Sequence, residues 1–213
     1  MQKQQRGSTE FTERHQLDAL PRTHLITAQA VGSDRLGELA ALARREIPGV
    51  RASEHELAEF LRHDPASIFV LCRGSRLLGG IAFLYLNCEG LDALLLDDFN
   101  LNNPPRGFLA RPDEEPAAIY VWALVAQGRG ALGLGNVAEV LRGPRYRAAD
   151  YYAQPSSDEG RAFLSALGFT PRASFQPDLW WYQRPWNRLP EMTAPPIQST
   201  THFDKGSLAD VRQ

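Results

Sequence analysis

The sequence predicts a single α/β domain. Three observations point to it: a strand-like run at 24–31 followed by two helical patterns, a pair of apolar runs at 67–72 and 77–86, and an apolar strand at 117–126 that passes through a glycine loop into a helix. The 213 residues, 43% of them hydrophobic, suffice for one core and are too few for two ordinary domains. Residues 1–22, rich in Gln, Arg, Glu and Thr without an apolar period, are expected to form a mobile tail. The domain is expected over 23–185, and 186–213, with Pro190, Pro195 and Pro196 among polar neighbours, as an extended tail.

Within the domain, Gly32 and Ser33 predict a turn and an N-cap for a helix whose apolar residues Leu36, Leu39, Ala40, Ala43 and Ile47 recur at helical spacing. Ser53 and Glu56 form a capping box for a second helix carrying Leu57, Phe60 and Leu61 on one face, stopped by Asp64-Pro65. Arg73-Gly74-Ser75-Arg76 joins the next two apolar runs as a β-hairpin. Residues 87–116 combine a helix-like stretch at 91–99 with a loop rich in Asn and Pro, long enough to carry function. After the strand at 117–126, residues 128–135 form the glycine loop, and Leu134, Val137, Ala138 and Leu141 share one helix face. A strand is predicted at 148–154. A second capping box, Ser156 with Glu159, opens a helix that ends at Leu167 with Gly168 as the residue beyond it. A terminal hairpin is expected at 172–184, turning at Gln176-Pro177-Asp178.

A formal charge of −2 shows none of the basic excess that a nucleic-acid partner requires. The longest apolar stretch, 77–86, contains Gly79 and Gly80 and is half the length of a membrane helix, so a soluble protein with no membrane partner is expected. The first residues lack the apolar segment of a secretion signal, and Cys72 and Cys88 lack CxxC spacing, both of which fit a reducing cytoplasm. Five scattered histidines make no metal-ligand cluster.

The chemistry is expected at Gln127-Gly128-Arg129-Gly130-Ala131-Leu132-Gly133. A glycine loop between a buried strand and a helix presents backbone N–H groups at the positive end of the helix dipole, which suits a pyrophosphate. Glycine there lets the backbone approach phosphate, and Arg129 adds a charge-assisted contact. Gly128, Gly130 and Gly133 also satisfy a dinucleotide fingerprint with Asp150 as the ribose acid, which leaves an NAD-binding reading open.

In element order, the loop motif beginning at Gln127 and Gly130, and the downstream match Ser157, Gly160, Arg161, Phe163, Leu167, Gly168 and Phe169, the chain resembles the GNAT superfamily of N-acetyltransferases. The resemblance covers about 24–184. It implies a mixed, mostly antiparallel central sheet flanked by helices on both faces and splayed at the strand 117–126. Acetyl-CoA or another acyl-CoA would be the co-substrate, with its pantetheine arm in the splay near Leu124 and Val125, and no metal. The pattern's last small residue is replaced by Leu132, the family's tyrosine by Leu164, and no carboxylate lies within the strand.

By this resemblance the backbone N–H of Leu124 or Val125 would hold the thioester oxygen, and Gln127 to Gly133 with Ser157 would flank the cofactor. Tyr151 or Tyr152 stands in for the missing acid by geometry. The implied activity is transfer of an acetyl or other acyl group from acyl-CoA to a primary amine of a small molecule or peptide. A catalytically degenerate CoA-binding module is the alternative, and self-association as a homodimer is left open. The insertion 87–116 is assigned to the acceptor side of the cleft, against a purely packing role for Leu94, Leu95, Leu96 and Phe99.

Overall fold

A computed structural model describes residues 25–47, 53–101 and 103–185. The expected tails at 1–22 and 186–213 lie outside these residues. Among the described residues, seven strands form one mixed sheet: β1 (Ile26–Ala30), β2 (Ile68–Arg73), β3 (Arg76–Leu86), β4 (Ala118–Ala126), β5 (Asp150–Ala153), β6 (Thr170–Pro171) and β7 (Trp180–Tyr182), in the order β1-β2-β3-β4-β5-β7-β6. Every neighbouring pair is antiparallel except β4 with β5. A doubly wound parallel sheet, which the dinucleotide fingerprint needs, is therefore not what this chain builds.

Among the described residues, five α-helices cover the sheet: α1 (Leu36–Glu46), α2 (Glu54–His63), α3 (Cys88–Leu95), α4 (Leu134–Leu141) and α5 (Asp158–Ala166). One face of the sheet, carrying Ile68, Val70, Ala82 and Val125, packs under α1 and α2 through Leu36, Leu39, Ala40 and Leu57. The same face continues under α3 and the insertion, where Leu84, Leu86, Ala118, Tyr120 and Tyr152 meet Leu94, Phe99 and Leu109. The opposite face, with Phe69, Ile81, Phe83 and Ile119, packs against Val137 and Leu141 of α4. No described helix is long and apolar enough to cross a membrane.

Local chemistry explains most boundaries. Ser53 Oγ accepts the Glu56 N–H while the Glu56 carboxylate accepts the Ser53 N–H at 2.8 Å, the reciprocal box expected for α2. Arg73 pairs with Arg76, so the hairpin turns on only Gly74 and Ser75, with Gly74 at φ 59°. Gly168, at φ 88°, follows α5 as expected.

Three expected helix starts move. Ser33 caps nothing: residues Ser33–Arg35 form a 3-10 turn, and α1 begins at Leu36. Asn87, whose Oδ1 accepts the Gly90 N–H, starts α3 at Cys88 rather than at 91. Ser157 takes the cap expected of Ser156, accepting the Gly160 N–H at 3.1 Å.

Two arginines tie the far end of the sheet. Arg145 reaches the buried Asp64 at 2.6 Å and the carbonyls of Glu114 and Arg111, joining the end of α2 to the end of the insertion. Arg184, buried, donates to the carbonyls of Leu141 and Ala149 and so closes the C-terminus of α4.

Candidate functional site

β4 is the element on which the site is built. On one side it pairs with β3 along its whole length, from Leu86↔Ala118 to Gly79↔Ala126. On the other side it pairs with β5 only from Ala118↔Asp150 to Val121↔Ala153. Beyond that point the two parallel strands part, and the second half of β4 faces an opening.

The backbone groups in that opening follow from strand alternation. Gln127 donates its N–H to Leu78 at 2.7 Å. Successive residues of an antiparallel ladder point alternately toward and away from the partner, so Val125 and Ala123 also address β3. Leu124 and Ala126 then present N–H and C=O to the opening, where no described residue takes them. Of the two N–H groups expected to serve the thioester oxygen, that of Leu124 faces the opening, whereas that of Val125 is in the ladder with Gly80.

A β-bulge sharpens the geometry. Ala123 pairs with Ala82 and Val121 with Phe83, which leaves Trp122 without an opposite residue on β3. Its side chain joins the α1/α2 face, where Phe60 tilts against the indole at 5.0 Å. The indole Nε1 donates to the Leu101 carbonyl at 2.7 Å, so the insertion reaches the site through its main chain there. Of the four residues expected to pack, Leu94 and Phe99 are buried, Leu95 is half-buried, and Leu96 is exposed.

Beside the bulge, on the same face, lies a small apolar cleft of about 20 Å³. Leu39, Ala43, Ile47 and Leu57 wall it from the helices, and Trp122, Ala123 and Val125 from β4. Gly79 and Gly80 on β3 permit this close packing: a Cβ on Gly79 would fall against the Val125 carbonyl oxygen, and one on Gly80 would come within 2.6 Å of a Leu39 methyl. The cleft and the bulge were not foreseen. Their sequence signal is the small residues Ala43, Gly80, Ala82 and Ala123 set among large apolar neighbours.

The glycine loop is more compact than expected. Gly128 turns the chain at φ 56° with open space around its missing side chain, and Gly130–Gly133 forms a 3-10 turn that runs straight into α4. Gly130 and Gly133 pack closely against the sheet. A Cβ on Gly130 would stand 3.2 Å from the Leu78 carbonyl, and one on Gly133 3.1 Å from Leu71. The Gly130 N–H donates to Gln127 and the Leu132 N–H to Arg129. Gly128, Arg129 and Ala131 keep N–H groups that no described residue accepts. Arg129 is exposed, Leu132 is 68% exposed, and the Gln127 amide is held by Glu46.

The remaining expected residues fall away from the opening. Tyr151 lies beside Ile119 and Tyr152 beside Tyr120, in the paired half of β4. Leu124 is four residues beyond Tyr120, roughly 13 Å of strand, which is too far for either hydroxyl to protonate a thiolate held there. Tyr151 instead accepts a hydrogen bond from Arg184 at 2.6 Å on the α4 face, and burial raises its pKa. Tyr152 sits in the core beside Trp181, its pKa raised chiefly by burial. Ser157 spends its hydroxyl on the cap of α5. No group of three His, Cys, Asp or Glu among the described residues could hold a metal ion.

No family model and no curated protein matches the sequence. Solved structures are similar to it in fold to differing degrees, and one exceeds a TM-score of 0.5. The loading GNATL domain of CurA from Lyngbya majuscula superposes with a TM-score of 0.52 at 12% identity, covering 75% of this chain and 98% of that one. The GphF GNAT-like decarboxylase in complex with isobutyryl-CoA gives 0.48 at 20% identity, over 67% and 72% of the two chains. Arabidopsis thaliana Naa50 in complex with a bisubstrate analogue gives 0.45 at 14%, over 73% and 95%.

Proposed function

We propose that this chain, whose fold is that of the GNAT N-acetyltransferases, binds an acyl-CoA between β4 and β5 and passes the acyl group to an amine of a small molecule or peptide. One observation carries the reading: the second half of β4 leaves the N–H and C=O groups of Leu124 and Ala126 open to a gap that β5 vacates after Ala153. An amide-bearing arm completes such an edge as a strand would.

In this reading the free N–H groups of Gly128, Arg129 and Ala131, at the start of the helical turn, receive the pyrophosphate. The Leu124 N–H receives the thioester oxygen as it becomes negative. The amine nitrogen attacks the carbonyl carbon and the C–S bond breaks. The nitrogen gives up its proton to water at the mouth of the gap, and the thiolate leaves as CoA after taking a proton. The residues described here supply positioning and one oxyanion donor, while the cleft beside Trp122 contributes no acid or base.

Binding without turnover is the second reading, favoured by Leu164 at the family's tyrosine position and by the distance of Tyr151 and Tyr152 from Leu124. Calorimetry with CoA and acetyl-CoA, followed by thiol release over a panel of amines and peptides, separates the two. Binding with turnover supports the transferase. Binding alone supports the module, and no binding of either compound removes both.

A further inference from the structure

We infer that Asp178 is a positioning residue: it latches the chain leaving β5 to the β7 side of the sheet and so holds open the gap beside β4. The inference rests on the acyl-CoA reading and names what shapes that site. Pairing of β5 with β4 stops at Ala153, two residues before Pro155, which has no N–H to extend a ladder. A proline ends the pairing without choosing a direction. The direction comes from contacts on the far side of β5.

Those contacts stand at the height of the gap. Trp180 lies opposite Ala153, and because β7 runs antiparallel to β5, residues 177–179 accompany the chain that continues from Ala153 toward α5. Gln154 donates its side-chain amide to the Pro177 carbonyl at 2.7 Å. Asp178 gathers the rest. Its Oδ2 accepts from Nε and Nη2 of Arg161, in α5, at 3.1 and 2.8 Å, and its Oδ1 accepts the Trp180 indole N–H at 2.9 Å. Arg161 is oriented in turn by Asp158 at 2.7 Å. The segment 154–161 is thereby drawn at both ends toward β7 and away from β4.

The backbone singles out Asp178 as well. It sits at φ 49°, a left-handed conformation that a Cβ disfavours. The side chains of Arg161 and Asp178 keep 43% and 35% of their surface exposed, where an ion pair adds little to stability. A disfavoured backbone kept for contacts of little weight in the fold points to a role at the gap they border.

The test titrates the full chain and its Asp178→Gly variant with CoA and with ADP, which carries a pyrophosphate without the arm, by calorimetry. Asp178→Gly removes both acceptor oxygens and relieves the left-handed turn, so it is expected to fold. On charge alone, losing a carboxylate favours an anionic ligand. The latch predicts the opposite sign: CoA affinity is expected to fall by about tenfold or more, while ADP affinity stays within about twofold. If the glycine variant does not fold, Asp178→Asn, which tolerates the turn and keeps one acceptor oxygen, carries the same comparison with an expected loss of about threefold or more. A folded variant that binds CoA as tightly as the parent, or more tightly, overturns the inference and leaves the acyl-CoA reading standing. Equal losses for CoA and ADP mark a general loosening and overturn it too, and failure of the parent to bind CoA overturns both.

Discussion

Leu124 and Gly130 show why the identity of a residue and the use of its backbone have to be argued separately. The Leu124 N–H faces the opening, so Leu124→Pro deletes that donor without removing a bond to β3. Loss of one oxyanion donor is expected to slow turnover by about 100- to 1,000-fold. Leu124→Ala, which keeps the N–H, should stay far closer to the parent. Thiol-release rates on the two variants, alongside their melting curves, check this, and equal rates would remove the N–H from the mechanism. Gly130 has the opposite character. Its missing side chain makes room for Leu78, so Gly130→Val is expected to cost about 1–3 kcal/mol of stability through overpacking, with any loss of CoA affinity secondary to it. Denaturant unfolding of the variant measures that cost, and an unchanged midpoint would return the glycine to a ligand-facing role.

Among the elements, the insertion is the one whose purpose the structure divides. Its helix packs as core, through Ala93 and Leu94 on the sheet face shared with Tyr120 and Tyr152. Its later part touches the site where the Leu101 carbonyl holds the Trp122 indole. Replacing 101–111 by a flexible linker would also remove Leu109 and Ala110, both buried, so it would test folding before it tested acceptor choice. Trp122→Phe is the cleaner probe: it keeps the aromatic wall and deletes the tether, at an expected cost of about 1 kcal/mol. If the insertion sets acceptor choice through this tether, the acceptor KM should rise while acyl-CoA affinity holds, which steady-state kinetics and calorimetry can resolve. The elements themselves were largely legible, because capping boxes, glycine punctuation and apolar period are local signals. The capping box at Ser53 and Glu56 and the strand–turn–helix after residue 117 stand where they were expected. The bulge at Trp122 and the parting of β4 from β5 depend on strand register, which one strand's sequence does not carry. The same gap in information let Tyr151 and Tyr152 pass as catalytic candidates: their strand was right, and their height along it was not.

Across the whole molecule, the buried phenols set a limit at high pH. Burial is the first cause raising the pKa values of Tyr85, Tyr120, Tyr151 and Tyr152 above the ordinary tyrosine value. The folded chain therefore keeps these protons where the unfolded chain releases them, above about pH 10. Because the folded state then binds more protons, stability must fall as pH rises, by up to about 1.4 kcal/mol per pH unit for each phenol. Unfolding midpoints measured from pH 8 to 11 should drop beyond pH 10, and a flat profile would count against these burials. The parted sheet has a consequence of another kind, because it writes an alternating isotope pattern into β4. In deuterated water the amides of Leu124 and Ala126, unpaired in the opening, should exchange quickly, while those of Ala123 and Val125, tied to β3, should lag far behind. An arm seated in the gap would slow the fast pair and leave the slow pair unchanged, so the free chain already carries its own occupancy label.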